Sequence, residues 1–382
     1  MTDAIVVGGG LSGVAAAVAV AKAGLDTLHL APKGPRDART SALMMPSVDY
    51  LQRAGLIGDP AALGHPLTAI RIIDATDRLL RAPETLFDSA EAGLPAFAWN
   101  FSNAALMEAF DGARKGLPNL VTREVAVTSV EADQTGARLD LADGTRLQAP
   151  LLVGADGKKS LVRASTGFRA REHGFVEAAL VCDLELSRPI GGTSVEFHYP
   201  RGPFTLVPAG ANRANLVWID DREVLRAAQS AGADHLRQLF RDKSHRLFGT
   251  IELCTPSHVF PLSSITVDQA GRDGVVLVGE AAHAFPPIGA QGLNLGLRDV
   301  DDLAAALAAS DRSPGWAGRV SADYARRRSG DLARTGGMVD ALFRSLLVDF
   351  LPTQAARAGG LWALKLAPPL RRQAFALGMG AR

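Results

Sequence analysis

The stretch Ala4-Ile5-Val6-Val7-Gly8-Gly9-Gly10-Leu11-Ser12-Gly13 decides how this chain folds. A short β-branched run ends in three consecutive glycines, and an alanine-rich segment resumes at about Ser12 and continues to Ala23. The order is strand, tight turn, helix. Residues 8–13 fit G-x-G-x-x-G in that context. Gly8 permits the turn, Gly10 lets a pyrophosphate approach the backbone, Gly13 allows close helix–strand packing, and free N–H groups at the helix start attract phosphate. A dinucleotide site is expected. Because Ala4 to Ala23 is nearly free of charge, a membrane span or signal segment is the competing reading. The β-branched opening, the glycine break and the lack of a preceding basic segment argue against both.

Working outward, the next apolar run, Thr27-Leu28-His29-Leu30, reads as the second strand, and it runs into Ala31-Pro32. An acidic residue for the ribose hydroxyls is expected at that point. Its replacement by Ala31 means that the ribose is held otherwise or that affinity is reduced. Whether NAD or FAD is bound cannot be read from the fingerprint alone.

The chain of 382 residues is long enough for two domains. With 41 Lys+Arg against 40 Asp+Glu it has no global field for a polyanion, and no local basic patch replaces one, so no nucleic acid is expected as a partner. Cys182 and Cys254 are too few for a disulfide framework or a zinc knuckle. No metal is expected, and a reducing compartment fits. There is no G-x-S-x-G elbow, no H-E-x-x-H and no G-x-x-x-x-G-K-[ST] loop. Gly154 and Gly157 beside Lys158-Lys159-Ser160 have the wrong spacing for a phosphate loop, and the lysines read as a solvated face.

Two later segments repeat the opening design. Leu151-Leu152-Val153-Gly154-Ala155-Asp156 is an apolar strand that delivers Asp156 at its C-terminal end, followed by Ser160-Leu161-Val162-Arg163 at a helix start. Val275-Val276-Leu277-Val278-Gly279-Glu280-Ala281-Ala282-His283 is a third strand and turn. Phe285-Pro286-Pro287-Ile288-Gly289-Ala290-Gln291-Gly292-Leu293-Asn294 then leads through a rigid Pro-Pro loop and a Gly-rich turn into a long helix ending the motif at Asp299.

Three such elements in this order resemble the single-component FAD-dependent aromatic hydroxylases of the p-hydroxybenzoate hydroxylase type, over essentially the whole chain. Within that group the similarity is greatest to the ubiquinone-biosynthesis hydroxylases. It is carried by Arg39-Thr40-Ser41-Ala42-Leu43 before a helix reaching Gly55-Leu56, by Asn103 ahead of Leu106, by Pro287 to Asp299, and by Pro368-Pro369-Leu370-Arg371-Arg372 to Gly380. The resemblance implies that Gly8, Gly10, Leu11, Ser12 and Gly13 hold the FAD pyrophosphate. Arg39 would reach the phosphate or ribityl region, with Asn103 hydrogen-bonding nearby. Asp156 and Arg163 fall in the family's second motif, linked to FAD and NAD(P)H use. Glu280 stands where the family usually has an Asp on the ribityl chain. Pro287, Gly289, Ala290, Gln291, Gly292, Leu293 and Asn294 would form the flavin and substrate loop, with Pro287 the candidate catalytic contact. His283 reads as a structural hydrogen-bonder, and no general base is assigned. The implied chemistry is hydroxylation of an aromatic ring with NAD(P)H and O2 through a flavin hydroperoxide, which asks the protein to orient the ring and exclude water. Backbone N–H groups at the start of the Leu293 helix would stabilise negative charge on the reduced flavin.

Between these motifs, Val176 to Leu186, Gly192 to Tyr199, Phe204 to Pro208 and Asn212 to Asp220 are short β-rich runs that suit an antiparallel sheet. Ala69 to Arg81 is expected to add a hairpin to it, and Glu223 to Phe248 to be helical. Phe197, Tyr199, Phe204 and Trp218 are candidates for an aromatic-substrate pocket, or else core residues. The expected α/β architecture is a Rossmann-type FAD-binding domain of residues 1–68, 97–172 and 259–337, an inserted antiparallel β-sheet substrate domain of residues 69–96 and 173–258, and C-terminal helices over 338–382. Within the last segment, apolar helices over Leu342 to Leu351, Leu361 to Leu366 and Leu370 to Met379 cap the domain, or else Leu361, Trp362, Leu364, Leu366 and Leu370, with Arg371 and Arg372 beside them, dip into a bilayer surface.

The expected substrate is a polyprenylated phenol or quinol intermediate of ubiquinone biosynthesis. The alternatives are a small soluble phenol or secondary metabolite, or a flavin-poor scaffold within a biosynthetic complex. The expected location is cytoplasmic, with peripheral contact at the inner membrane as the finer alternative.

Overall fold

A computed structural model of the chain describes residues 2–34, 37–76 and 81–347, with a few isolated positions after 358. Strand Ala4–Val7 lies inside a six-stranded sheet, with Thr27–Leu30 on one side and Leu151–Gly154 on the other, both parallel to it. Leu120–Arg123 extends the sheet beyond Thr27–Leu30, and Val275–Leu277 extends it beyond Leu151–Gly154. Both faces are covered, so these strands read as unbroken apolar runs. Helix Leu11–Lys22 buries ten of its twelve residues against one face, where alanine lets it approach helix Gln291–Ala308 closely. On the same core lie Val130, Leu139 and Leu141 of a separate three-stranded sheet.

The second large element is a nine-stranded sheet. From one edge it runs His283–Ala284, His258–Val267, Ala170–Leu186, Arg213–Asp221, Gly202–Pro208, Thr193–Tyr199, Ala69–Asp74 and Thr85–Asp88, with Ile251–Leu253 beside Ala170–Leu186. Its pairings are antiparallel apart from Ala69–Asp74 on Thr193–Tyr199. The hairpin expected over Ala69 to Arg81 has its second strand further on, at Thr85–Asp88. Strand His258–Val267 pairs along Ala170–Val181 through an irregularity between Gly174 and Ala178. The sheet therefore continues past position 258, where the boundary of the inserted unit was expected.

The helical stretch expected over Glu223 to Phe248 is two helices, Arg222–Ser230 and Ala233–Lys243, broken at Gly232 with φ +93°. They cover one face of the nine-stranded sheet, and this corrects the reading of the aromatic residues as a pocket. Phe197, Phe204 and Trp218 are at most 1% exposed and point into that helix-covered core. There the Phe204 ring lies 5.9 Å from Phe240 and 6.4 Å from Trp218. Tyr199 packs against the same core, and its hydroxyl donates to the Lys243 carbonyl at 2.7 Å. Alternation along the strands turns their neighbours Val217 and Ile219 to the opposite face, together with Ala179 and Leu262. Residues before and after position 338 belong to one helix, Trp316–Leu347. The expected helices from 361 on, and the end of the one expected over Leu342 to Leu351, lie outside the described residues. No described helix is long and apolar enough to cross a membrane.

Candidate active site

The three strand-and-turn motifs leave the C-terminal ends of neighbouring parallel strands. Val7 is in register with Gly154, and Gly154 with Leu277, so the turns at Gly8, Ala155 and Gly279 lie side by side. Such edges are where open α/β sheets bind ligands. The glycines of the first turn differ in what they do. A Cβ on Gly8, whose φ is +132°, would lie 2.0 Å from the Ala155 carbonyl oxygen. One on Gly13 would lie 2.0 Å from the Gly8 carbonyl oxygen, but one on Gly10 would meet nothing within 4 Å. Gly8 and Gly13 are thus required by the fold, whereas Gly10 leaves an open approach to the backbone. No side chain caps the helix that begins at Leu11, so its first N–H groups are available to an anion. Ser12 faces away from that opening, toward Gly279 and Gly296.

His29 supports this turn from beneath. It is fully buried, and its Nε2 donates to the Gly8 carbonyl at 2.8 Å. Burial pushes its pKa down, helped by Arg114 and opposed by the bond to Gly8 and by Asp111.

A polar cluster forms around Asp37. Arg39 is bound by Asp37 through two contacts of 2.9 Å, Asn103 donates to the same carboxylate at 2.9 Å, and Ser41 donates to Asn103 at 2.6 Å. Burial would raise the Asp37 pKa, but the hydrogen bonds from Arg39 and Asn103 outweigh it and hold the carboxyl at about 2. The hydrogen bond to Asp37 raises the Arg39 pKa against burial, and the charges of Asp37 and Glu280 add to the rise. Glu280 is exposed and its charge is felt at Arg39.

Asp156 and Arg163 are engaged inside the protein. Both Asp156 carboxylate oxygens accept bonds from its own loop, one from the Ser160 hydroxyl and one from the Val162 N–H at 3.0 Å. The buried Arg163 guanidinium donates to the carbonyls of Ala281 at 2.9 Å and Lys158 at 2.8 Å. Arg163 therefore ties the second motif to the third.

The Pro286-Pro287 loop ends at Gly289 and Ala290, which have φ of +66° and +53°, and helix Gln291–Ala308 starts there without a side-chain cap. Pro287, Gly289 and Gly292 are exposed, Ala290 and Leu293 are partly buried, and Gln291 donates to the Gly289 carbonyl at 3.0 Å. Asn294 is a clip: its Oδ1 accepts from the Met44 N–H at 2.8 Å, and its Nδ2 donates to Ala42 at 2.8 Å and Ala290 at 2.6 Å. It fixes strand Thr40–Met44 against the helix start. His283 has the structural role expected of it. Its Nε2 lies 2.6 Å from Asp299 Oδ2, the oxygen that also accepts the Gly279 N–H at 2.8 Å. Asp299 is in turn paired with the fully buried Arg328 at 2.6 Å, and Arg328 also pairs with Asp302 and Asp331 at 2.9 and 2.7 Å.

Ile288, next to Pro287, packs on Ala179, Ile219 and Leu262, the face of the nine-stranded sheet turned away from its helices. The loop thus stands between the exposed glycine turns and an apolar sheet surface. Sequence reasoning missed Asp37, His29 and the Asp299–Arg328 pair. A histidine within an otherwise apolar strand was a usable signal. Asp37 looks like an ordinary loop residue, and the partners of Asp299 are fixed only by tertiary packing.

An open Gly10, two uncapped helix starts and a basic rim side chain suit a pyrophosphate-containing flavin nucleotide, and an adjoining apolar face suits an aromatic ring. They fit an FAD-dependent aromatic hydroxylase, the class to which the chain's family and relatives assign it. Residues 1–331 match the FAD binding domain family, and the chain belongs to it. The chain is 30% identical to the ubiquinone hydroxylase UbiL of Rhodospirillum rubrum, over 100% of this chain and 90% of the relative. It is 27% identical to the 3-demethoxyubiquinol 3-hydroxylase of Escherichia coli, over 99% and 98% of the two chains. Its fold is that of the p-nitrophenol 4-monooxygenase PnpA from Pseudomonas putida, at 19% identity, a TM-score of 0.81, and coverage of 100% of this chain and 99% of that one.

Proposed function

We propose that this chain hydroxylates the ring of a polyprenylated phenol or quinol precursor of ubiquinone, consuming NAD(P)H and O2. The observation that carries the reading is the meeting of the three motif turns at one sheet edge, with the Pro287 loop between them and the apolar face of Val217, Ile219 and Leu262. The two relatives compared above, each matched along nearly its full length, are by their names ubiquinone-pathway hydroxylases.

In this reading the N–H groups from Gly10 to Gly13 hold the pyrophosphate, and Arg39, positioned by Asp37 and Asn103, supplies a positive charge beside it. Asp156 and Arg163 shape and join the turns, and Glu280 faces the ribityl region. Reduced FAD, when bound, supplies the activation of dioxygen. The backbone N–H groups at Ala290 to Gly292, at the positive end of a helix of 18 residues, stabilise negative charge at the Pro287 loop. Pro287 presents a rigid edge to the ring, and Ile288 with the sheet residues under it excludes water. No side-chain base is required by this arrangement.

Peripheral membrane contact belongs to the same proposal. Trp362 and Leu370 are 47% and 49% exposed, which suits an interfacial segment. Flotation with liposomes that is lost on truncation before Leu361 would support it, and equal flotation of both forms would dismiss it. The hydroxylase reading is tested by NAD(P)H oxidation with FAD and a prenylated phenol, followed by chromatography. Substrate-stimulated oxidation with an oxygenated product is expected. Bound, reducible flavin with no oxygenated product would count against the reading, and no bound flavin even after FAD is added would favour the flavin-poor scaffold.

A further inference from the structure

The face of the nine-stranded sheet turned away from its helices carries a row of half-buried side chains beside the Pro287 loop. Val217 pairs with Val181 on one side and with Thr205 on the other, Thr205 pairs with Glu196, and Glu196 with Ile72, so these five share one row across five strands. At about 4.8 Å per strand, the row is about 19 Å long. All five are half-buried, whereas Ile219, Pro203 and His198, on one side of the row, are buried. The loop meets the sheet on both sides of it. Ile288 packs on Ile219, and Ala290 packs on the same apolar cluster as Val207, which pairs with Asn215 on the side of the row opposite Ile219. A ring placed against Val217 would lie between these two anchors.

The row is apolar at both ends and polar in the middle, where Thr205 and Glu196 are neighbours. Glu196 Oε2 lies 3.3 Å from Nε2 of the buried His198, which steadies the carboxylate. Its Oε1 and the Thr205 hydroxyl have no hydrogen-bond partner among the described residues. Asn215, two residues from Val217 on the same face, is already committed: its Oδ1 accepts from Asn100 at 2.7 Å, and its Nδ2 donates to Asp183 at 2.6 Å. Thr205 and Glu196 are thus left to meet a bound ring. A carboxylate oxygen accepts a hydroxyl hydrogen, gains nothing from an ether oxygen and repels a second carboxylate. We propose that Thr205 and Glu196 select the ring by accepting its hydroxyl hydrogen, so that a neutral ring with a free hydroxyl is bound in preference to its methyl ether or to a ring bearing a carboxylate. The inference rests on the ring-hydroxylation reading above and names the residues that recognise the ring.

The test measures binding separately from turnover. FAD-loaded protein in detergent is dialysed against a prenylated phenol, its O-methyl ether, and the same phenol carrying a ring carboxylate. The parent should bind the phenol about tenfold or more tighter than either of the others. Glu196→Gln should weaken the phenol about tenfold and narrow its advantage over the carboxylated ring, with the ether bound as before. Thr205→Val, which keeps the shape and removes the hydroxyl, should weaken the phenol about threefold or more. The phenol-to-ether ratio within each variant is the readout, so a general loss of fold does not mimic it. A parent that binds phenol and ether equally, or variants that weaken both alike, would overturn the proposal. Discrimination in binding without any oxygenated product would support these residues and refute the hydroxylase reading. Oxygenated product formed without discrimination would refute these residues alone.

Discussion

Replacing Gly10 with alanine should separate folding from cofactor binding. Gly10 has φ −80° and ψ 173°, an extended conformation open to any residue, and an added Cβ meets nothing within 4 Å. Loss of glycine at a helix N-cap and the reduced entropy of the unfolded chain act in opposite directions, so the net change in apoprotein stability should be within about 0.5 kcal/mol. With about 2.1 cal/mol/K of unfolding entropy per residue, a chain of 382 residues would then shift its Tm by about 1 °C or less. A methyl group at this opening stands where the pyrophosphate must approach. Losing one charge-assisted hydrogen bond there costs about 1.5–3 kcal/mol, or roughly 10- to 150-fold in Kd. Gly13→Ala is the contrast, since its Cβ would lie 2.0 Å from the Gly8 carbonyl oxygen and must displace backbone. That overpacking should cost about 1–3 kcal/mol or more before any ligand is added. Thermal unfolding of the apoproteins and titration with FAD by flavin fluorescence measure both quantities. FAD binding by Gly10→Ala at parental affinity would refute the placement of the pyrophosphate.

Asn294→Ala removes three side-chain hydrogen bonds and leaves the buried Met44 N–H unpaired, so a loss of about 2–4 kcal/mol is expected in urea unfolding. Arg328→Met leaves Asp299, Asp302 and Asp331 without their shared cation, and about 3–5 kcal/mol should be lost in thermal melts, with Arg328→Lys less affected. The folded pKa of His29 lies below its unfolded value of about 6.5, so the unfolded chain takes up the proton first as pH falls. Stability should therefore decline from about pH 6.5 down to the folded pKa, at no more than about 1.4 kcal/mol per pH unit, and level off below it. His29→Leu should flatten that part of the curve in urea titrations at several pH values.

The nucleotide-binding half was legible because its signals are local. Gly8, Gly10 and Gly13 lie within six residues, and each of the three buried strands is one apolar run followed by its turn. The clips were not legible, because Asn294 acts on Met44 across 250 positions and only the assembled fold brings them together. Phe204 to Pro208 and Asn212 to Asp220 were legible as β-rich runs, but such runs do not say which face the helices cover. Phe204 and Trp218 therefore looked like pocket residues as readily as core, until helices Arg222–Ser230 and Ala233–Lys243 were placed over them. The limit of the inserted sheet was obscured in the same way. Strand His258–Val267 carries polar and apolar residues without a break, and its partner is the 17-residue strand Ala170–Leu186, whose length exceeds the run that sequence suggests.

The most direct test is an isotope experiment with FAD-loaded protein, NAD(P)H and a prenylated phenol under 18O2, read by mass spectrometry of the product. One labelled oxygen atom on the ring, with no label when only the water is enriched, is the predicted result. A product labelled from water, or flavin turnover with no oxygen transferred to the ring, would contradict the assignment as an aromatic hydroxylase.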